Sequence, residues 1–477
     1  MPSGEGVVLP SVEARSEEDI LLEVDTLSTR IKKQLLSSEH ITGPDIDLDA
    51  GSITTSSIEA YRYYLEGRLS YFIGSRHDAM ESLEMAVEID PEFAMAHNYL
   101  AMCYRSFPGY KDEAEEAMTR AFELSHHASP RERFFIQAMY YRARGHRSLG
   151  QYLETCREFV KVYPDDFRAH YALGEIYSRI EEWDKCVETL ENVDDGDFPS
   201  PPFMDLQRAY GALGKYDEAL TYVETSPAGI DSLKYRHQLA LNLIYERRFD
   251  AALHEAEMML ERSPGYVYAL MVKGDVHFLR AEWDQAEANY RDLLNPVTRE
   301  SNRLRFRLEG LRRLVNLYLA KGRYGQALDI VREAIEEVTA VGELQWLLSF
   351  HYRLATILRA RGDLAGAEAE TRWALEEAER RDHVTGKIAV LGLHGMILIE
   401  TDNLGEADRA ADEMKSEIEG WLNPKLVRDW NHLAGHIALA RNDVAQAVEH
   451  FEQAVSLLPF QHDVNADEHA MYYSSLA

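Results

Sequence analysis

A small side chain returns at a fixed place in helix-like segments along most of this chain. The series is Ala79, Ala114, Thr155, Cys186, Ala219, Ala252, Ala286, Ala327, Ala367, Ala407 and Ala447. The steps between them are 35, 41, 31, 33, 33, 34, 41, 40, 40 and 40 residues. A period of this size marks one supersecondary unit per repeat. Such a unit cannot bury its apolar face alone, so the copies must stack on one another. The 477 residues therefore need not divide into the three or so ordinary domains that length alone suggests.

Other positions keep the same register. Three residues before the small one stands a larger apolar side chain: Tyr152, Trp183, Tyr216, Phe249, Trp283, Tyr324, Leu364, Leu404 or Val444. A Gly, Asn or Asp turn precedes it, as in Leu213-Gly214-Lys215-Tyr216 and Lys321-Gly322-Arg323-Tyr324. Seven residues after the small one comes Ala86, Ala121, Ala334, Ala374 or Ala454, and twelve after it Pro91, Pro264 or Pro459. Small residues let two helices approach closely. Gly accepts the positive φ of a helix C-terminus, and Pro stops the second helix.

This pattern resembles the tetratricopeptide repeat. The fit is best in Leu173-Gly174 … Tyr177 … Trp183 … Cys186, in Leu206 … Tyr210 … Gly214 … Tyr216 … Ala219, and in Gly274 … Trp283 … Ala286 … Tyr290. The resemblance covers roughly residues 58 to 477. It implies an all-α fold, a right-handed α-α superhelix of about eleven helix pairs, with one further helix at the N-terminal side.

The repeat has two lengths. Steps of 31 to 34 run from Thr155 to Ala286, and steps of 40 or 41 follow. Six more residues add nearly two helical turns per unit at about 3.6 residues per turn. Longer helices and a change of pitch are expected near residues 295 to 305, marked by Asn295-Pro296. Three regions follow: 1–55, an acidic segment with an amphipathic helix near 16–36 and a linker; 56–295, the shorter units; and 296–477, the longer ones. An acidic, Pro-rich loop, Asp194 to Pro202, interrupts the second region. The last stretch, Asp467 to Ala477, reads as the first helix of an incomplete twelfth unit.

The net charge is −31, from 51 Lys+Arg against 82 Asp+Glu. Duplex nucleic acid and anionic membranes are disfavoured partners, because both are bound by neutralising their charge. No run of about 18 apolar residues occurs, so membrane insertion is not expected. The N-terminal residues lack a basic region followed by an apolar core. Three Cys (Cys103, Cys156, Cys186) in no CxxC spacing fit a reducing compartment, and the expected location is cytoplasmic.

Motifs of chemistry are missing. Gly214-Lys215 and Gly386-Lys387 have no Gly five residues before the Gly, so neither is a phosphate-binding loop. No HExxH and no GxSxG occurs. No catalytic residue, cofactor or metal is expected, and the chain reads as a non-enzyme. The nearest approach to a metal site is His432 and His436, one helical turn apart, with Asp429 three residues before. The competing reading is a pair of polar groove residues with no metal. His126-His127 reads as a helix C-terminal cap.

In the tetratricopeptide pattern, four positions of each first helix face the concave groove. Carried over residue by residue, these are Tyr61, Tyr64, Arg68 and Tyr71; then Met95, Asn98, Met102 and Arg105; then Gln137, Tyr140, Arg144 and Arg147; then Arg168, Tyr171, Glu175 and Ser178. The seventh unit adds Tyr268, Met271, Asp275 and Phe278. Tyr, Arg and Met are enriched at binding hot spots. An Arg-rich aromatic trough suits a carboxylate-bearing peptide. The alternative is that the Tyr fill seams between repeats and the Arg pair with nearby acids. The chaperone-tail clamp of one tetratricopeptide subclass needs Lys-xxx-Asn and Lys-xxx-Arg, and neither spacing occurs.

The resemblance implies a non-enzymatic scaffold binding protein or peptide segments. The stretch from Glu17 to Leu35, followed by Thr54 to Gly67, also resembles the junction between a TolB-like domain and a tetratricopeptide array in bacterial multidomain signalling proteins. It implies the interaction or sensing arm of such a protein, cut from a longer chain. The alternative function is a small-molecule-sensing regulatory module, since the 40-residue units resemble those of ligand-sensing transcription regulators.

Overall fold

In a computed structural model, the described residues are 55, 57–72, 75–107, 109–191, 193, 203–225, 233–296, 300–459, 472, 474 and 475. The amphipathic segment 16–36, the loop 194–202 and most of the stretch 467–477 lie outside them. Among the described residues there are 22 α-helices and no strand. They run α1 (Ile58–Phe72), α2 (Arg76–Ile89), α3 (Ala94–Tyr104), α4 (Lys111–Leu124), α5 (Pro130–Ala143), α6 (Leu149–Val162), α7 (Phe167–Arg179) and α8 (Trp183–Leu190). Then come α9 (Phe203–Ala212), α10 (Tyr216–Thr225), α11 (Leu233–Tyr245), α12 (Phe249–Arg262), α13 (Val267–Leu279) and α14 (Trp283–Asp292). The rest are α15 (Glu300–Ala320), α16 (Tyr324–Val341), α17 (Leu344–Ala360), α18 (Leu364–Arg380), α19 (Val384–Glu400), α20 (Leu404–Glu419), α21 (Val427–Ala440) and α22 (Val444–Ser456). These make eleven pairs, and the fold of the described residues is all-α.

The contacts divide the chain into two compact units, one ending at Ala172 and one beginning at Leu173, inside α7. In the first unit, consecutive helices from α1 to α6 pack on one another. In the second, consecutive helices from α11 to α22 do so. One apolar cluster runs from Val267 through Tyr290, Leu311 and Val331 to Ile357. It crosses the point where the repeat lengthens.

The small-residue series explains the close packing. Ala79, Cys186, Ala219, Ala252, Ala286, Ala327, Ala367, Ala407 and Ala447 are fully buried on the second helices of their pairs. Thr155 is an exception. It is half-buried, and its neighbour Cys156 takes the fully buried place. The cause is local: a 3₁₀ turn, Gly145–Ser148, leads straight into α6 and advances its start to Leu149. Burial pushes the Cys103 and Cys186 thiols up to about 12.

A second small position lies on the first helices. An added Cβ at Gly67, Gly174, Gly274 or Gly435 would come within 2.6, 2.3, 2.3 or 2.4 Å of Leu83, Leu190, Tyr290 or Phe451. In each case the large partner sits on the second helix of the same pair. The Gly opens the space that this side chain fills.

The turn inside most pairs has a left-handed residue: Glu181, Gly214, Arg247, Ala281, Gly322, Gly362, Asp402 and Asn442. The next backbone N–H reaches back to a carbonyl five residues earlier. Examples are Glu182 to Tyr177 (2.9 Å) and Arg248 to Leu243 (2.8 Å). This satisfies carbonyls that a helix end leaves open. The sequence marks these turns by Gly, Asn and Asp, yet Glu181, Arg247 and Ala281 adopt the same backbone. For an L-residue that conformation costs about 1–2 kcal/mol.

Helix lengths change after residue 300. α15 to α20 have 21, 18, 17, 17, 17 and 16 residues. The last pair falls back to 14 and 13. Its 40-residue step is kept by the connector Gly420–Leu426, which includes a 3₁₀ turn at Pro424–Leu426. Helix starts are capped where the sequence supplies a cap. Ser129 and Glu132 form a capping box before Pro130 at the start of α5.

Candidate functional site

The first unit holds a cavity of about 430 Å³ between α1, α5 and the start of α7. Arg68 and Arg168 line it, together with Leu65, Leu69, Arg131 and Asp166. Leu65 and Leu69 stand one helical turn apart on α1, and Leu69 is 62% exposed. Together with Leu65, 38% exposed, it forms a short apolar strip on α1.

The three guanidinium groups differ in what they touch. Arg168 is engaged by the buried Asp166, with Nε at 3.0 Å from Oδ1 and Nη2 at 2.7 Å from Oδ2. Arg131 reaches both oxygens of exposed Asp165 at 3.0 Å. Burial alone would raise the Asp166 carboxyl, but the Arg168 hydrogen bond and charge outweigh it and lower the pKa. Arg68 has no carboxylate partner among the described residues. Its guanidinium lies 5.7 Å from the Tyr64 ring centre.

The predicted groove residues divide between seam and surface. Tyr64 is buried, with Phe93 and Tyr99 rings at 4.9 and 5.8 Å, and burial raises its hydroxyl pKa. Tyr61 is half-buried beside it at 5.9 Å. Tyr71 packs on Phe72 and Tyr99, under the Arg76 guanidinium at 3.5 Å. Asn98 is fully buried; its Nδ2 faces Met102 Sδ at 3.8 Å, and its Oδ1 has no partner among the described residues. Arg105 is exposed and reaches the Ala143 carbonyl at 3.5 Å. Tyr140 stacks on Phe122 at 3.9 Å, with Arg144 over its ring at 4.7 Å. The Arg147 side chain lies outside the described structure. Tyr171 is exposed.

Tyr64, Tyr71 and Tyr140 thus pack against neighbouring rings, and Arg168 pairs with Asp166. In the second unit, Tyr268 packs on Phe306 at 5.2 Å and Phe278 on Trp283 at 5.6 Å. Asp275 is committed to an internal network: it accepts from Arg313 Nε at 3.0 Å and from the Tyr290 hydroxyl at 2.9 Å. The residues that sequence reasoning missed are Leu65, Leu69 and Arg131. A signal existed for the first two, since both fall on the face of α1 that also carries Arg68.

The His pair is local and neutral. His432 Nε2 and His436 Nε2 lie 3.3 Å apart and meet Ser475 Oγ at 3.0 and 3.1 Å. Burial holds both imidazoles down to about 4. Asp429 accepts from the Tyr472 hydroxyl instead. Three carboxylates, Glu379, Glu413 and Glu417, come close enough to hold a cation. The Lys387 ammonium already sits among them, at 2.5, 2.8 and 2.8 Å. No helix among the described residues is long and apolar enough to cross a membrane.

Residues 237–301 match the tetratricopeptide repeat family. No curated protein matches the chain. Among solved structures the chain is similar to yeast Tom70, at 11% identity and TM-score 0.40, covering 96% of this chain and 95% of that one. It is also similar to a tetratricopeptide repeat protein from Parabacteroides merdae, at 15% identity and TM-score 0.38, covering 61% and 99%. BtubC from P. vanneervenii is a third, at 16% and 0.35, covering 47% and 91%. The family match falls on α11–α14, within a fold whose described residues form eleven helix pairs.

Proposed function

We propose that this chain is a protein-interaction scaffold whose first unit takes a carboxylate-bearing, partly apolar protein segment. Tetratricopeptide repeats generally serve as scaffolds for protein–protein contacts. The observation that carries the reading is Arg68, a half-buried guanidinium with no carboxylate partner among the described residues, set beside the open Leu65 and Leu69. A bidentate Arg–carboxylate pair supplies direction, and the leucines supply apolar burial. The same reading makes the chain an interaction arm of a bacterial signalling protein, as its TolB-like junction residues suggest.

The test is selection of peptides from a random display library on the whole chain. Selected peptides are expected to carry Asp or Glu next to an apolar residue. A hydrogen bond to a charged group contributes about 1.5–3 kcal/mol, so Arg68→Glu is expected to weaken binding about 10–100-fold. Arg168→Glu is the poorer variant, because it removes the principal partner of buried Asp166 and sets a second carboxylate beside it. Peptides that bind Arg68→Glu equally well, with helicity unchanged, refute the assignment.

A further inference from the structure

The second unit contains a cavity of about 470 Å³ built by α7, α9 and α11, with Pro459 at its edge. Its size falls in the range of small-ligand sites, about 300–1,000 Å³. The lining is polar in an unusual way. Gln238 is 6% exposed and has no hydrogen-bond partner among the described residues. Asn242, 2% exposed, gives its Nδ2 to Gln207 Oε1 at 2.6 Å. Gln207 in turn gives its Nε2 to the Ala219 carbonyl at 3.0 Å. That chain of donors fixes the Asn242 amide and leaves Oδ1 as an acceptor without a partner among the described residues.

The Gln238 and Asn242 amides are not sealed away: their polar atoms reach the accessible space of the cavity and can meet whatever fills it. They line it together with His237, whose imidazole burial lowers to about 4 and so keeps neutral at pH 7. Two guanidinium groups stand at the same cavity, Arg179 and Arg208. Their ion pairs are long: Arg179 to Glu175 at 3.8 Å and Arg208 to Asp205 at 3.7 Å. Trp183 and Tyr245 supply aromatic wall.

The charges decide between ligand classes. Each guanidinium has one acid nearby, so the site is close to balanced and disfavours a polyphosphate. A single carboxylate can displace one long pair. The amides match a secondary amide, which both donates and accepts. The aromatic wall matches an apolar group. We infer that this cavity binds a small N-acylated amino acid, with its carboxylate on Arg208 or Arg179, its amide on Gln238 and Asn242, and its apolar group against Trp183 and Tyr245. The site does not rest on the groove of the first unit.

It also adjoins a closure of the second unit. Glu181 lines the cavity and holds Arg428, 247 residues away in sequence. A bound ligand therefore stabilises the fold by mass action.

The probes are N-acetyl-L-phenylalanine and N-acetyl-L-leucine, titrated into the full chain by calorimetry and thermal melting. Saturable binding and a raised melting temperature are expected from at least one. N-acetyl-L-phenylalaninamide lacks the carboxylate and 3-phenylpropionate lacks the amide, and each is expected to bind at least tenfold more weakly. Gln238→Leu and Arg208→Ala are expected to lose tenfold or more, and Arg68→Glu to lose nothing. Arg208 is well exposed, so its variant remains informative if Gln238→Leu folds poorly. No saturation by either acyl amino acid overturns the inference. So does binding that survives both cavity variants, or ADP binding where the acyl amino acids do not.

Discussion

Replacing Glu181 by Gln is expected to loosen the second unit by about 3–5 kcal/mol. Glu181 sits in the left-handed turn after α7, and its carboxylate accepts from Arg428 Nη1 at 2.7 Å and Nη2 at 2.8 Å. Asn423 Nδ2 adds a third bond at 3.0 Å, and Lys425 Nζ bonds the Glu181 carbonyl. The side chains are 7% exposed for Arg428 and 13% for Glu181. Removing one partner of a pair this buried leaves the other charge without compensation, which costs about 3–5 kcal/mol. Glu181→Gly is expected to cost less, because it also relieves about 1 kcal/mol of left-handed backbone strain. Replacing both partners by Met at once is expected to cost least.

Tryptophan fluorescence in urea is the assay. The six Trp are at 183, 283, 346, 373, 421 and 430, all in the second unit. Acid supplies an independent reading. Burial alone would raise the Glu181 carboxyl, but the hydrogen bond and charge of Arg428 outweigh it and lower the pKa. A depressed carboxylate contributes stability that is present above the unfolded pKa of about 4.3 and is lost as pH falls through the folded value. The wild-type advantage over Glu181→Gln should therefore shrink below about pH 4.3. An unfolding free energy from the urea titration of Glu181→Gln within about 0.5 kcal/mol of wild type would refute this reasoning.

Three further outcomes follow from the packing. Gly274→Ala gains about 1 kcal/mol of helix propensity but sets a Cβ 2.3 Å from Tyr290, whose hydroxyl is tied to Asp275. Overpacking at about 1–3 kcal/mol wins, so a lower melting temperature is expected and a higher one refutes the Gly–Tyr fit. Ala281→Gly relieves φ 58° and should raise stability by about 0.5–1 kcal/mol in urea; a loss would mean that the turn is not left-handed. His432 and His436 should titrate near 4 by NMR. Because the unfolded imidazoles take protons near 6.5, their contribution is full above that pH and declines as pH falls toward 4. A midpoint near 6.5 for both would contradict their burial.

Much of the fold is legible because one physical requirement repeats. Two helices can close on each other only where side chains are small, so the Ala ladder from Ala79 to Ala447 shows in the sequence and in the packing. The reading slips at Thr155, where a 3₁₀ turn advances the helix and moves Cys156 into the buried place. It also misses the turns at Glu181, Arg247 and Ala281, since nothing in those side chains announces a left-handed backbone. The site is less legible. A groove position says which way Arg168 projects but not that Asp166, two residues earlier, already holds it. Contacts such as Glu181 with Arg428 have no local pattern, because they arise only once many pairs have stacked.

The first unit is proposed to receive a protein segment at Arg68, Leu65 and Leu69. Hydrogen exchange of the chain with and without a display-selected peptide tests it most directly. The account predicts slowed exchange in α1 and in the first turns of α5 and α7, abolished by Arg68→Glu, with α11 to α22 unchanged. Protection confined to α11–α22, or protection in α1 that survives Arg68→Glu, would contradict it.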